Sequence, residues 1–144
     1  MLLEHFTVAY RFAGVRRSVV FHLYDTVDAM KQGYYALTGT RDDEPVDGYT
    51  CAFDYSYDEG IVRPSYSPLS VVMLHMGRLT IEAIAHEMTH AAMHQYFTVT
   101  GEDIAVPAGD VMTGASEPTA YFVGGWTARV VEVLQSRGYV IEAS

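Results

Sequence analysis

The stretch Ile84-Ala85-His86-Glu87-Met88-Thr89-His90-Ala91-Ala92-Met93-His94 constrains the chain more than any other. On an α-helix, residues four apart share a face, so His86 and His90 aim two imidazole nitrogens at a single point. Glu87 falls about 100° further round, beside that point rather than over it. With His86 as zero, Ile81, Ile84, Ala85, Met88, Ala91 and Ala92 fall between roughly 140° and 260°, while His86, Glu87 and His90 occupy roughly 0° to 100°. An HExxH string is weak evidence by itself, because 6 histidines in 144 residues can meet a glutamate by accident. The sorting of an apolar stripe and a polar triad onto different faces is what an accident lacks. Two histidines in this spacing hold zinc, and a glutamate beside the ion suits a general base acting on water.

At 144 residues the chain is one domain's worth, and residues 1–144 are expected to form a single core. Hydrophobic residues make up 49% and charged residues 19%, which argues for a compact globular protein against long disordered tails. The formal net charge of −9, with only 9 Lys and Arg spread along the chain, disfavours a nucleic-acid backbone as partner. No apolar run is long enough to cross a bilayer, and the opening Met-Leu-Leu-Glu-His lacks the blocks of a signal peptide. The expectation is therefore a cytoplasmic protein without a membrane partner. A lone cysteine, Cys51, fits a packing role in a strand. Acidic clusters at Asp42-Asp43-Glu44 and Asp58-Glu59 lack the ligand spacing of an EF-hand and are read as solvated loops.

Upstream of the histidine helix the period is that of strands. His5 to Phe12 alternates apolar and polar residues, and Ser18 to Tyr24 is rich in β-branched and aromatic residues; with Gly14 between them they predict a hairpin. Asp25-Thr26-Val27-Asp28 starts a helix that Gly39 closes. A loop from about Thr40 to Gly48 follows, read as a solvated connection or a mobile flap. A third strand is predicted over Tyr49 to Tyr57, ending in the turn Asp58-Glu59-Gly60, and a near-continuous apolar strand over Ser70 to Met76. Thr80 is the expected N-cap of the histidine helix, which runs to about Thr98 with Gly101 as its stop.

A tetrahedral zinc site needs a third protein donor. The HExxHxxGxxH extension is absent, since Met93 and Tyr96 stand at its last two fixed positions, which removes a metzincin assignment. His94 lies about 12 Å along a straight helix from His86, too far to share an ion whose bonds are roughly 2 Å. His75 is a second candidate, on an expected strand. The next helix offers the donor most consistent with the pattern. Ser116 caps it, Pro118 is harmless in its first turn, and Phe122, Val123, Trp126, Val130, Val133 and Leu134 form its apolar stripe. Glu117 lies off that stripe with Tyr121, Gly124, Gly125 and Ala128, whose small side chains suit close approach to the histidine helix. Glu117 is thus the expected third ligand, against the alternative of a carboxylate placed simply to complement a helix N-terminus. Tyr121, one turn on, suits a hydrogen bond to a ligand or to an oxyanion.

His86-Glu87-Met88-Thr89-His90 followed by Glu117 on the next helix resembles the gluzincin group of zinc metallopeptidases, and the small size resembles the minigluzincins and related short bacterial and phage proteins. The resemblance spans about Ser70 to Gly138. It implies a small zincin-like α+β domain, with an about four-stranded, mostly antiparallel sheet packed on an HExxH helix and a glutamate-bearing C-terminal helix. Carried over by position, His86, His90 and Glu117 would be zinc ligands and Glu87 the general base, while Tyr121 is a catalytic candidate only by its place on the Glu117 face of the helix. The chain departs from thermolysin-like enzymes in carrying Tyr121 where they place an aspartate four residues after the ligand glutamate. The expected activity is peptide hydrolysis on a peptide or protein substrate, with strand addition to Ser70–Met76. The alternative is a non-catalytic, zinc-containing peptide-binding or regulatory module of phage or host origin. The 11 tyrosines leave the oligomeric state open.

Overall fold

The structure, a computed structural model, describes residues 1–53, 57–58, 61–62, 69–100 and 116–144. Its elements in chain order are β1 (Leu2–Phe12), β2 (Val15–Tyr24), α1 (Val27–Thr38), β3 (Gly48–Phe53), the short pair β4 (Tyr57–Asp58) and β5 (Ile61–Val62), β6 (Leu69–His75), α2 (Ile81–Thr100) and α3 (Ser116–Ser136). Gly101 and the loop 63–68 lie outside the described residues. The fold is α+β, with a mixed four-stranded sheet in the order β1-β2-β6-β3.

The hairpin β1–β2 is antiparallel, as its alternation predicts, and runs from Leu2↔Tyr24 to Phe12↔Val15. Its turn places Ala13 and Gly14 at positive φ, 50° and 80°. The strand β6 then enters beside β2 in parallel, from Val20↔Val71 to Tyr24↔His75, and β3 closes the sheet antiparallel to β6. Its near-continuous apolar run is explained by burial on both faces, since Val71, Val72, Met73 and Leu74 are all buried. Of the strand predicted over Tyr49 to Tyr57, Gly48–Phe53 forms β3 and Tyr57–Asp58 pairs with Ile61–Val62; residues 54–56 and 59–60, with the predicted turn, lie outside the described residues.

Two apolar clusters sandwich the sheet. On one face Phe21, Leu23, Val72 and Leu74 pack with Ile84, Met88, Ala91 and Ala92 of α2 and with Phe122, Trp126, Val130 and Leu134 of α3. The apolar stripes read from helical periodicity are largely the buried faces, with Ala85, Val123 and Val133 half-buried and Ile81 exposed. On the other face Met30 of α1 packs with Tyr24, Tyr49, Cys51, Val71 and Met73. Cys51 is buried as expected, and burial, helped by the nearby Glu87 charge, pushes its thiol up to about 11.

Helix ends follow their local chemistry. Thr26 accepts from Ala29 N at 3.1 Å, and Gly39 closes α1 in the left-handed region. Thr80 Oγ1 accepts from Ala83 N at 3.0 Å, confirming the predicted cap of α2. The chain's last residues return to the same end, where Ile81 N donates to Glu142 O and Glu82 N to Ala143 O. The segment between α1 and β3 is tied down: Tyr49 Oη donates to Asp42 at 2.8 Å and Lys31 Nζ to Glu44 O at 2.6 Å. Tyr49 also stacks on Tyr34, with centroids 4.1 Å apart.

Candidate metal centre

The second helix presents His86 and His90 outward, with 68% of the His86 side chain exposed. Their Nε2 atoms lie 3.3 Å apart. Two nitrogens bound at about 2.0–2.1 Å to one tetrahedral zinc stand about 3.3–3.4 Å apart, so the pair already has the bite of a chelate. No backbone movement is needed, because both donors rise from one rigid helix.

Glu87 is the exception to the polar face, since only 7% of it is exposed. Its burial comes from β3. Gly48 passes so close that a Cβ there would stand 2.8 Å from Met73 O, 2.5 Å from Leu74 Cδ2 and 3.3 Å from Glu87 Cγ. Two residues on, Thr50 Oγ1 lies 2.6 Å from Glu87 Oε2 and 2.9 Å from Glu87 O, and its hydroxyl donates to these oxygens. The other carboxylate oxygen, Oε1, is 4.0 Å from His86 Nε2. One oxygen is thereby fixed by the sheet while the second is left beside the histidine pair. A buried polar group needs a hydrogen-bond partner, and Thr50 supplies one to this carboxylate.

Thr50 is the residue that sequence reasoning missed. Nothing local marks it, because its partner lies 37 residues away and a threonine in a strand is ordinary. Replacing Thr50 by valine removes a hydrogen bond to a charged group, worth about 1.5–3 kcal/mol. The expected result is a domain less stable by about that amount, with Thr50→Ser restoring most of it, as read by chemical denaturation of the three proteins.

The remaining sequence candidates separate. Glu117, exposed at the start of α3, shares a hollow with Tyr10, Ala120, Tyr121, Gly124 and Gly125, whereas His86 and Glu87 line a different hollow with Gly48, Leu74 and Ala83. The two share no lining residue. The reason is the glycine face of α3. A Cβ at Gly125 would stand 2.1 Å from the Tyr10 ring, so this glycine, expected to admit the histidine helix, admits Tyr10 of β1 instead. Tyr121 stacks on Phe12 of the same strand, with centroids 4.2 Å apart and 14° between planes. Among the described residues, no three His, Cys, Asp or Glu side chains gather into a group able to hold a metal.

The other histidines have local partners. His75 accepts from Gly77 N at 3.2 Å, capping a short 3-10 turn over Met76–Arg78, and burial holds its pKa below the ordinary histidine value. His94 Nδ1 lies 3.5 Å from Ser70 Oγ of β6. Among the described residues no helix is long and apolar enough to cross a membrane.

The fold and site thus define an α+β protein with a preformed histidine pair and a buried glutamate. The sequence matches no protein-family model, and no curated protein and no solved structure is significantly similar to it.

Proposed function

We propose that the protein is a small, zincin-like, zinc-dependent metallopeptidase that acts on peptide or protein substrates in the cytoplasm. The observation that carries this reading is the pairing of a chelating histidine bite with a glutamate whose carboxylate is held from behind by Thr50. A purely structural zinc site has no use for that glutamate.

His86 and His90 hold the ion, and Glu117 is the third donor that the sequence pattern nominates. Zinc, when bound, acts as a Lewis acid and brings the pKa of water towards about 7. Glu87 accepts the proton from the attacking water through the oxygen that Thr50 leaves unengaged, then returns it to the leaving amine. The apolar wall behind it, Leu74 and Ala83, keeps bulk water from competing for that carboxylate.

An extended substrate meets a strand other than the one first expected. Ser70–Met76 cannot add a strand, because β6 is paired with β2 on one side and β3 on the other. Of the strands in this sheet, β3 is the one beside Glu87 that has a neighbour on one side only. Strand addition to β3 runs the substrate past Thr50 and Gly48 towards the histidine pair.

Metal analysis of the purified chain together with digestion of an unbiased peptide library tests the reading. Stoichiometric zinc and cleaved peptides support it, and stoichiometric zinc with no cleavage favours a non-catalytic peptide-binding module. The third donor has its own test. Glu117→Gln is expected to weaken zinc retention by at least about tenfold in competition with a chelator. Unchanged retention removes Glu117 from the coordination sphere.

A further inference from the structure

We propose that the hollow beside Glu87 is a side-chain pocket that selects a lysine or arginine of the substrate next to the scissile bond, with Glu82 as its specificity-determining carboxylate. The inference rests on the peptidase reading for the word "scissile", but the pocket's preference for a cation is a separate property.

The hollow measures about 270 Å³. Pockets for whole small ligands start near about 300 Å³, so this one suits a single long side chain rather than a complete molecule. It is walled by Gly48, Leu74 and Ala83 and shares His86 and Glu87 with the metal centre, so a side chain seated in it holds its own backbone beside those two residues. Gly48 contributes backbone alone and packs directly on Leu74, where a Cβ would stand 2.5 Å from Leu74 Cδ2.

Charge decides what fits. Two ionic groups on the rim cancel, because Arg78 Nη2 lies 3.1 Å from Asp47 Oδ2. Glu82, one turn before His86 and exposed, makes no ion pair among the described residues and is the uncompensated charge at the mouth. An apolar floor with an anionic rim matches the aliphatic stem and cationic head of lysine or arginine, which lay the stem on apolar surface and keep the head at its edge. An acidic side chain meets Glu82 as a like charge, and an aliphatic one leaves the rim carboxylate unmatched.

Two measurements on the full, zinc-loaded chain test this. The first is the cleavage-site profile of the peptide-library digest for the wild type, Glu82→Gln and Glu82→Lys. Lysine and arginine are expected to be enriched at one position flanking the cut, the enrichment falling by about two- to fivefold in Glu82→Gln, as for loss of one exposed ion pair. In Glu82→Lys the preference is expected to invert towards acidic residues. The second is binding of acetyl-arginine amide against acetyl-norleucine amide, followed by NMR shifts of the Gly48 and Ala83 amides, which needs no hydrolysis. Arginine amide is expected to bind more tightly in the wild type and to lose that advantage in both variants.

Cleavage without a charged preference, or cleavage at acidic residues in the wild type, overturns the pocket and leaves the peptidase reading standing. Selective, Glu82-dependent binding of arginine amide without any cleavage sustains the pocket and sinks the peptidase reading. Equal binding of the two amides overturns the pocket whatever the digest shows.

Discussion

Replacing Glu87 by glutamine is expected to leave zinc binding intact and to lower peptide hydrolysis by about 10²–10⁴-fold, the range for loss of a positioned general base. Glutamine keeps the shape and keeps a carbonyl oxygen that can accept from Thr50, so β3 stays where it is. It cannot take a proton. Zinc is expected to stay because the proposed histidine donors, His86 and His90, have a 3.3 Å spacing that is internal to α2. Stability is expected to hold or rise, since a carboxylate that is only 7% exposed is exchanged for a neutral group of equal size. His86→Ala makes the contrast: it removes half of the chelate and is expected to lose metal and hydrolysis together. Metal content by mass spectrometry and initial rates on one cleavable peptide distinguish the two. Hydrolysis surviving in the Glu87→Gln protein overturns the mechanism.

What the sequence disclosed depended on how far apart the interacting residues are. The geometry of His86, Glu87 and His90 is a property of one helix, so the period alone predicted it. The buried stripe of α3 was legible for the same reason, with Phe122, Trp126, Val130 and Leu134 all in the core. The hairpin β1–β2 was legible because its partners are close in the chain. Long-range choices were not. The parallel pairing of β2 with β6 joins Val20 to Val71, and no turn signal records such a crossover. Gly124 and Gly125 announced a close approach but not its partner: Gly125 lies against Tyr10 rather than the histidine helix, and Gly124 has nothing within 4 Å of its Cβ position. Glu117 was assigned to the metal on that assumption. An apolar run that ignores alternation, as in Ser70–Leu74, marks a central strand, and a central strand has no free edge to offer a substrate.

Trp126→Ala is expected to be the most damaging single truncation in the core, costing about 3–5 kcal/mol of the domain's stability. Trp126 is fully buried, its ring lies 5.4 Å from that of Phe122, and its Nε1 donates to Arg17 O at 3.1 Å. Truncation therefore opens a cavity and strips a donor from a backbone carbonyl of β2. For a chain of this size each kcal/mol moves the melting temperature by roughly 3 °C, so a fall of about 10–15 °C is expected in a calorimetric scan. Trp126→Phe keeps most of the volume and loses the hydrogen bond, and a smaller fall, of about 1–2 kcal/mol in stability, is expected from it. The 3.3 Å spacing of His86 and His90 is internal to α2 and is expected to be unchanged in the folded fraction of either variant, so the loss is one of stability and not of the histidine pair.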